Sequence, residues 1–281
     1  MVKNGFMPRA LWKGAISFGL VTIPVDVHSA VNDVRPHFRM LHKKDLSPVR
    51  FQRVCIKEDE PLQWDDLVKG YEYQKGKYAV LTDEDFERAA LEKSKTVDIL
   101  NFVKADDIDD RYYETPYYLT PGKGGDRAYA LLREALRDSG RVGIAKIILR
   151  ETQHLAALAA VDDALVLTMM RFADELRPIA DYEPKKTSVR SQELSMAKTL
   201  IKSLEADWKP DVYEDEYRAN LMKVIRAKIK GKEPKLRAEE RPHDGDVVDL
   251  MERLRTSLES GRKAAHGHTG RKSRSRAKRV A

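Results

Sequence analysis

The sequence predicts an α+β protein in which a β-rich body precedes a helical segment. Three observations predict it. Short β-branched runs recur at similar spacing, separated by polar turns, between Gly14 and Phe172. After Pro184 the apolar period changes from two to about 3.6 residues. Beyond the last apolar stripe the chain becomes strongly basic and loses its acidic residues.

The first strand is expected over Gly14 to Val31, GAISFGLVTIPVDVHSAV, where Pro24 requires an edge or a bulge. Further strands are expected at Val97 to Val103, Tyr112 to Leu119, Val142 to Leu149, Leu155 to Val161 and Leu165 to Phe172. Their number and shortness favour a barrel or a sandwich over a parallel α/β sheet. One helix, Asp126 to Asp138, interrupts them after the turn PGKGG. The next helix places Leu194, Ala197, Ile201, Leu204 and Trp208 on one stripe. Pro210 then suits the first position of another helix, which carries Tyr213, Tyr217, Leu221, Val224 and Lys228 before Gly231. These stripes must bury against their own barrel or a second subunit. Lys232 to Gly245 reads as a linker. A last helix over Val247 to Ser260 carries Val247, Leu250, Met251, Leu254 and Leu258 on one face. At about 14 residues it is marginal alone, so it is expected to dock on something.

The chain has 281 residues, 52 of them Lys or Arg and 45 Asp or Glu. Gly261 to Ala281 accounts for the whole excess through Arg262, Lys263, Arg271, Lys272, Arg274, Arg276, Lys278 and Arg279, with no acid. A near-neutral body with a flexible basic arm points to a polyanion, nucleic acid first and an anionic membrane second. Mean hydropathy is −0.57. No apolar run reaches the roughly 18 residues of a membrane span, and the first residues lack a secretory h-region, so the site of action is expected to be intracellular.

The candidate chemistry is binding. Arg35 to Lys57 holds Arg35, Arg39, Lys43, Lys44, Arg50, Arg53 and Lys57 against one acid, Asp45, with His37 and His42 nearby. Arg39, Phe51 and Arg53 fall near alternating positions, so one face of an extended ribbon could offer guanidinium groups to phosphates. Glu58 to Asp66 then carries five acids and no base. The turn Thr120 to Arg127 lacks both GxxxxGK[ST] and GxGxxG, which makes it plain turn geometry. Asp106, Asp107, Asp109 and Asp110 lack the Gly and terminal Glu of a calcium loop. Cys55 has no partner at metal-ligand spacing, and His154 is expected to be a satisfied, half-buried core histidine. No catalytic residue, cofactor or metal is expected.

The run Arg9-Ala10-Leu11-Trp12-Lys13-Gly14-Ala15-Ile16-Ser17-Phe18-Gly19-Leu20-Val21-Thr22-Ile23-Pro24-Val25 resembles the N-terminal signature of the bacterial Ku proteins. Three later blocks agree in order: Tyr117 to Leu136, Val142 to Leu158 and Glu193 to Lys232. The resemblance covers residues 9–232. It implies a β-barrel core, an inserted arch from about Arg35 to Tyr78, and a helical arm at about residues 190–231 that embraces a second subunit.

By the same resemblance, two copies form a ring that threads onto double-stranded DNA ends without reading sequence. The ring serves bacterial non-homologous end joining in the cytoplasm, at the nucleoid, and recruits a multidomain repair ligase of the ligase D type. Lys75 and Lys77 join the seven earlier cations as candidate lining. Leu250, Met251, Leu254 and Leu258, in the 233–260 region, form the candidate ligase dock, and the 261–281 tail adds DNA contacts. Some relatives carry a CxxC pair where this sequence has only Cys55, so a zinc site is not carried over. A body of about 230 residues has a radius of gyration of about 17 Å, so encircling a duplex takes a dimer. The alternative reading is a nucleoid architectural protein that binds internal DNA sites through its tail.

Overall fold

The computed structural model describes residues 9–89, 95–149 and 152–233. The boundary between its two compact units falls after Tyr182.

The single strand expected over Gly14 to Val31 is two. β1 (Trp12–Phe18) and β2 (Val21–Ser29) form an antiparallel hairpin around Gly19 and Leu20. Gly19 sits at φ 58°, a conformation glycine adopts without Cβ strain, and this one residue turns the chain. Pro24 lies in mid-strand opposite Ala15, not at an edge or a bulge. It is tolerated because the ladder between β2 and the following barrel neighbour starts one residue later, at Val25.

Next in order come β3 (Lys69–Gln74), β4 (Lys77–Leu81), the short helix α1 (Asp83–Ala89), β5 (Thr96–Lys104) and β6 (Tyr113–Pro121). Helix α2 (Asp126–Ser139), β7 (Arg141–Leu149), β8 (Thr152–Val161) and β9 (Ala164–Met170) complete the first unit. The barrel closes in the order β1-β2-β6-β9-β8-β7-β5. Every barrel pairing is antiparallel except the closure, where β5 lies parallel to β1 through Ala15↔Thr96, Ile16↔Val97 and Ser17↔Asp98. A parallel neighbour needs a long crossover, and residues 30–95 supply it. β3 and β4 form a separate two-stranded ribbon within that crossover, which the sequence reading did not assign.

Strand alternation fills the barrel with Ile16, Ile23, Val25, Val27, Val97, Leu119, Ala145, Ile147, Ala156, Leu158, Leu165 and Leu167. Helix α2 adds Tyr129, Leu132 and Leu136 to the same core. Its Tyr129 hydroxyl donates to the Leu119 carbonyl and accepts from the Leu165 amide, both at 2.8 Å, and so joins β6 to β9. The turn before α2 is glycine-rich for steric reasons. A Cβ at Gly125 would lie 2.7 Å from the Pro24 carbonyl oxygen, and one at Gly122 would lie 3.0 Å from Pro24 Cβ. That agrees with reading TPGKGG as turn geometry.

The second unit contains α3 (Ser191–Ser203) and α4 (Glu216–Ile229). The stripe expected to run on to Trp208 breaks after α3, and Pro210 opens a short 3-10 turn (Pro210–Val212) instead of a helix. Helix α4 starts later because Asp215 caps it, accepting from the Arg218 amide at 2.9 Å. Tyr213, left outside α4, stacks on Trp208 with ring centroids 5.2 Å apart. No residue of α3 or α4 is buried. The linker beyond Glu233, the helix expected at Val247 to Ser260 and the basic tail lie outside the described residues.

Replacing Tyr129 with Phe leaves a buried amide and a buried carbonyl without their partner. The expected outcome is a loss of roughly 1–3 kcal/mol of unfolding free energy, measured by denaturant titration of the Tyr129→Phe variant.

Candidate nucleic-acid interface

Between the end of β2 and the start of β5 the chain leaves the barrel and returns to it. From Val31 to Thr82 every residue is exposed except Pro36, Cys55 and Leu62, which are half-buried. With so little apolar burial, this excursion is held by local backbone bonds, in the β3–β4 ladder and in two turns that precede it.

In the first turn, Leu41 bridges Pro48. The His42 amide donates to the Ser47 carbonyl (2.8 Å), the Leu46 amide to the His42 carbonyl (2.8 Å) and the Val49 amide to the Met40 carbonyl (3.1 Å). In the second, Val54 bridges Pro61, and the Cys55, Asp59 and Leu62 amides donate to Glu60, Cys55 and Arg53, each at 2.9 Å. Leu46 and Asp59 occupy the same place in each turn, with φ 59° and 56°. The second turn repeats the first at an offset of 13 residues. Asp45 locks the first one, its Oδ1 accepting from the Ser47 amide (3.0 Å), the Ser47 hydroxyl (2.8 Å) and His42 Nδ1 (3.1 Å).

The turns carry opposite charge. Lys43 and Lys44 stand at the tip of the first, whereas Lys57 is followed by Glu58, Asp59 and Glu60 in the second. Arg39 and Arg50 each stand two residues outside the Leu41↔Pro48 bridge, one on either side of the first turn. The ribbon places Lys75 and Lys77 on either side of Gly76, at its turn, where Gly76 has φ 75°. Arg35, Arg39, Lys43, Lys44, Arg50, Arg53, Lys57, Lys75 and Lys77 are all exposed, and among the described residues none forms an ion pair with a carboxylate. Arg53 instead lies over the Trp64 ring, 4.2 Å from its centroid. The extended ribbon expected around Arg39, Phe51 and Arg53 is therefore not formed there. Tight turns replace it, because Pro48 and Pro61 cannot donate to a continuing ladder. The ribbon that does form lies further on, at Lys69–Leu81.

The other flagged groups are structural. Arg111 donates to both oxygens of Asp109 (2.9 and 2.8 Å) and holds that carboxyl at about 2. His154 is half-buried at a cavity of about 400 Å³ lined by Trp12, Val27, Tyr117 and Met169. Its backbone lies in the ladder opposite Ile147, and it is half-buried as expected. Cys55 is a free, half-buried thiol. Among the described residues no cluster of three or more His, Cys, Asp or Glu is arranged to hold a metal, and no helix is long and apolar enough to cross a membrane.

A profile of the Ku70/Ku80 beta-barrel domain matches residues 17–196, from the end of β1 into α3. The chain belongs to the Ku family. It is 41% identical to a relative from Opitutus terrae over 95% of this chain and 99% of that one. A Bacillus subtilis relative is 40% identical over 93% of this chain and 85% of its own length, and one from Cupriavidus necator 43% over 90% and 78%. Each is named a non-homologous end joining protein Ku. The family match covers the end of β1, the other six barrel strands and the basic excursion together. The family and the barrel inferred from the sequence are thus borne out.

Hydrogen bonds from Ser47 hold the Asp45 carboxyl below its ordinary value of 3.8. A depressed carboxyl stabilises the turn above its unfolded pKa, and that contribution fades as pH falls through the lowered value. Following the Ser47 amide by NMR is expected to give a midpoint below 3.8.

Proposed function

We propose that this Ku-family chain binds the ends of double-stranded DNA in non-homologous end joining, as a ring of two copies that grips phosphates without reading bases. The observation that carries this reading is the set of nine exposed cations without carboxylate partners, from Arg35 to Lys77, in one excursion that starts and ends on the barrel wall. Phosphate oxygens would accept from exposed guanidinium groups such as those of Arg39 and Arg50 on the two sides of the first turn. Backbone contacts of that kind hold any sequence equally, as a protein that accepts any broken end requires. A near-neutral body can act this way because its charge is sorted, the acids of Glu58 to Glu60 being kept to the second turn.

Dimerisation is supported by the second unit. Ile201, Leu204, Trp208, Tyr213 and Tyr217 are each exposed by about two-thirds or more, an apolar surface of the kind that marks an interface. In this reading a second copy covers it. The helix expected at Val247 to Ser260 then docks the repair ligase through Leu250, Met251, Leu254 and Leu258. The tail from Arg262 to Arg279 adds non-specific DNA contacts.

The test is the salt dependence of binding to linear duplex. Log affinity is expected to fall with log salt at a slope of about −0.9 per phosphate contact. The Arg39→Ala and Arg50→Ala variants are each expected to flatten that slope by about 0.9. Unchanged slopes in both would remove these cations from the interface.

A further inference from the structure

We propose that the excursion also carries a stacking site for unpaired bases, built from Phe38, Phe51 and Trp64, so that the chain holds the single-stranded overhang of a broken end as well as its duplex. The proposal deepens the DNA-end reading and rests on it. These three aromatics occur at the 13-residue offset that relates the two turns. They are 70%, 85% and 70% exposed, in a segment with almost no apolar burial to hold them. Phe38 stands three residues before Leu41 and Phe51 three residues after Pro48, flanking the first bridge; Phe51 stands three before Val54 and Trp64 three after Pro61, flanking the second. The repeat therefore gives the three aromatics equivalent places at the open ends of the two turns.

Each of the three has at least one arginine near it in sequence or in space. Phe38 is followed by Arg39, Phe51 lies between Arg50 and Arg53, and the Arg53 guanidinium covers one face of Trp64 at 4.2 Å. Neither Phe38 nor Phe51 has an aromatic or cation–π partner among the described residues. Aromatic faces interleaved with unpaired Arg and Lys are the features by which proteins bind single strands without sequence preference, since every base has a π-face and every nucleotide a phosphate. Duplex DNA offers such rings nothing, because its bases are stacked on one another. Phe38 and Phe51 lie in a segment of seven cations to one acid, Arg35 to Lys57, which favours a nucleic-acid occupant over an apolar protein surface; Trp64 lies among the acids of Glu58 to Asp66 and has its cation from Arg53.

The experiment compares three fluorescent DNAs bound by the full chain: a blunt duplex, the same duplex with a single-stranded thymidine tail, and the tail strand alone. Phe51→Ala, the double variant Phe38→Ala with Phe51→Ala, and Phe51→Trp are measured beside the wild type. A tail containing 2-aminopurine reports stacking through quenching. The wild type is expected to prefer the tailed duplex and to quench the probe. Phe51→Ala is expected to lose about five- to a hundredfold of its affinity for the tail, with blunt binding unchanged and Phe51→Trp restoring it. Blunt binding that persists with no preference for the tail overturns the stacking site and leaves the DNA-end reading intact. A double variant that loses dimer and blunt binding together overturns it in favour of a second copy of the chain on these rings. A wild type that fails to bind even blunt duplex overturns the DNA-end reading itself.

Discussion

The parallel pairing of β1 with β5 is the contact on which the rest of the first unit depends. It is short, three residue pairs in all, yet it turns an open seven-stranded sheet into a barrel without edges. Its closeness explains Gly14, where a Cβ would collide with the Trp12 ring and the Lys95 carbonyl. Because the paired strands run the same way, the chain between them cannot be a tight turn. The crossover of residues 30–95 is a consequence of that geometry, and its two ends are fixed on the barrel wall by β2 and β5. A long segment with little burial of its own is thereby held at both ends by a packed core.

That arrangement separates stability from binding. The barrel and α2 hold nearly all the buried apolar surface, so the crossover is free of the demand to pack. It can keep charges that a core would reject, and keep them unpaired. Asp45 serves the first turn by accepting three hydrogen bonds and not by neutralising Lys43 or Lys44. The cost of unpaired cations is low in water and turns into affinity when a polyanion displaces counterions. The proposed grip on DNA is therefore a property of what the crossover leaves unmade.

Legibility in the sequence followed burial. β7 and β9 could be read because buried and half-buried residues alternate along much of each, and β5, β6 and β8 because they are short apolar or aromatic runs bounded by polar turns. The β1–β2 turn could not, since a single glycine within an apolar run looks like continuing strand. The β3–β4 ribbon is exposed on both faces, so no alternation marks it, and its Tyr and Lys residues read only as polar chain. The break between α3 and α4 was hidden by an apolar stripe that continued in phase through Leu204 and Trp208, and only the Asp215 cap locates the second start. At the candidate site the cations were plain in the sequence, but their lack of partners and the repeat of the turns were not. Phe38, Phe51 and Trp64 were visible as residues, yet a period of 13 is neither strand nor helix and so carried no signal.

The proposed function requires a ring that enters DNA at a free terminus. Competition of linear and covalently closed circular duplex of one sequence against a labelled linear probe, with the full chain, tests this most directly. Linear DNA should displace the probe while circles compete poorly. Equal competition by circles would contradict threading and leave only general attraction to phosphates.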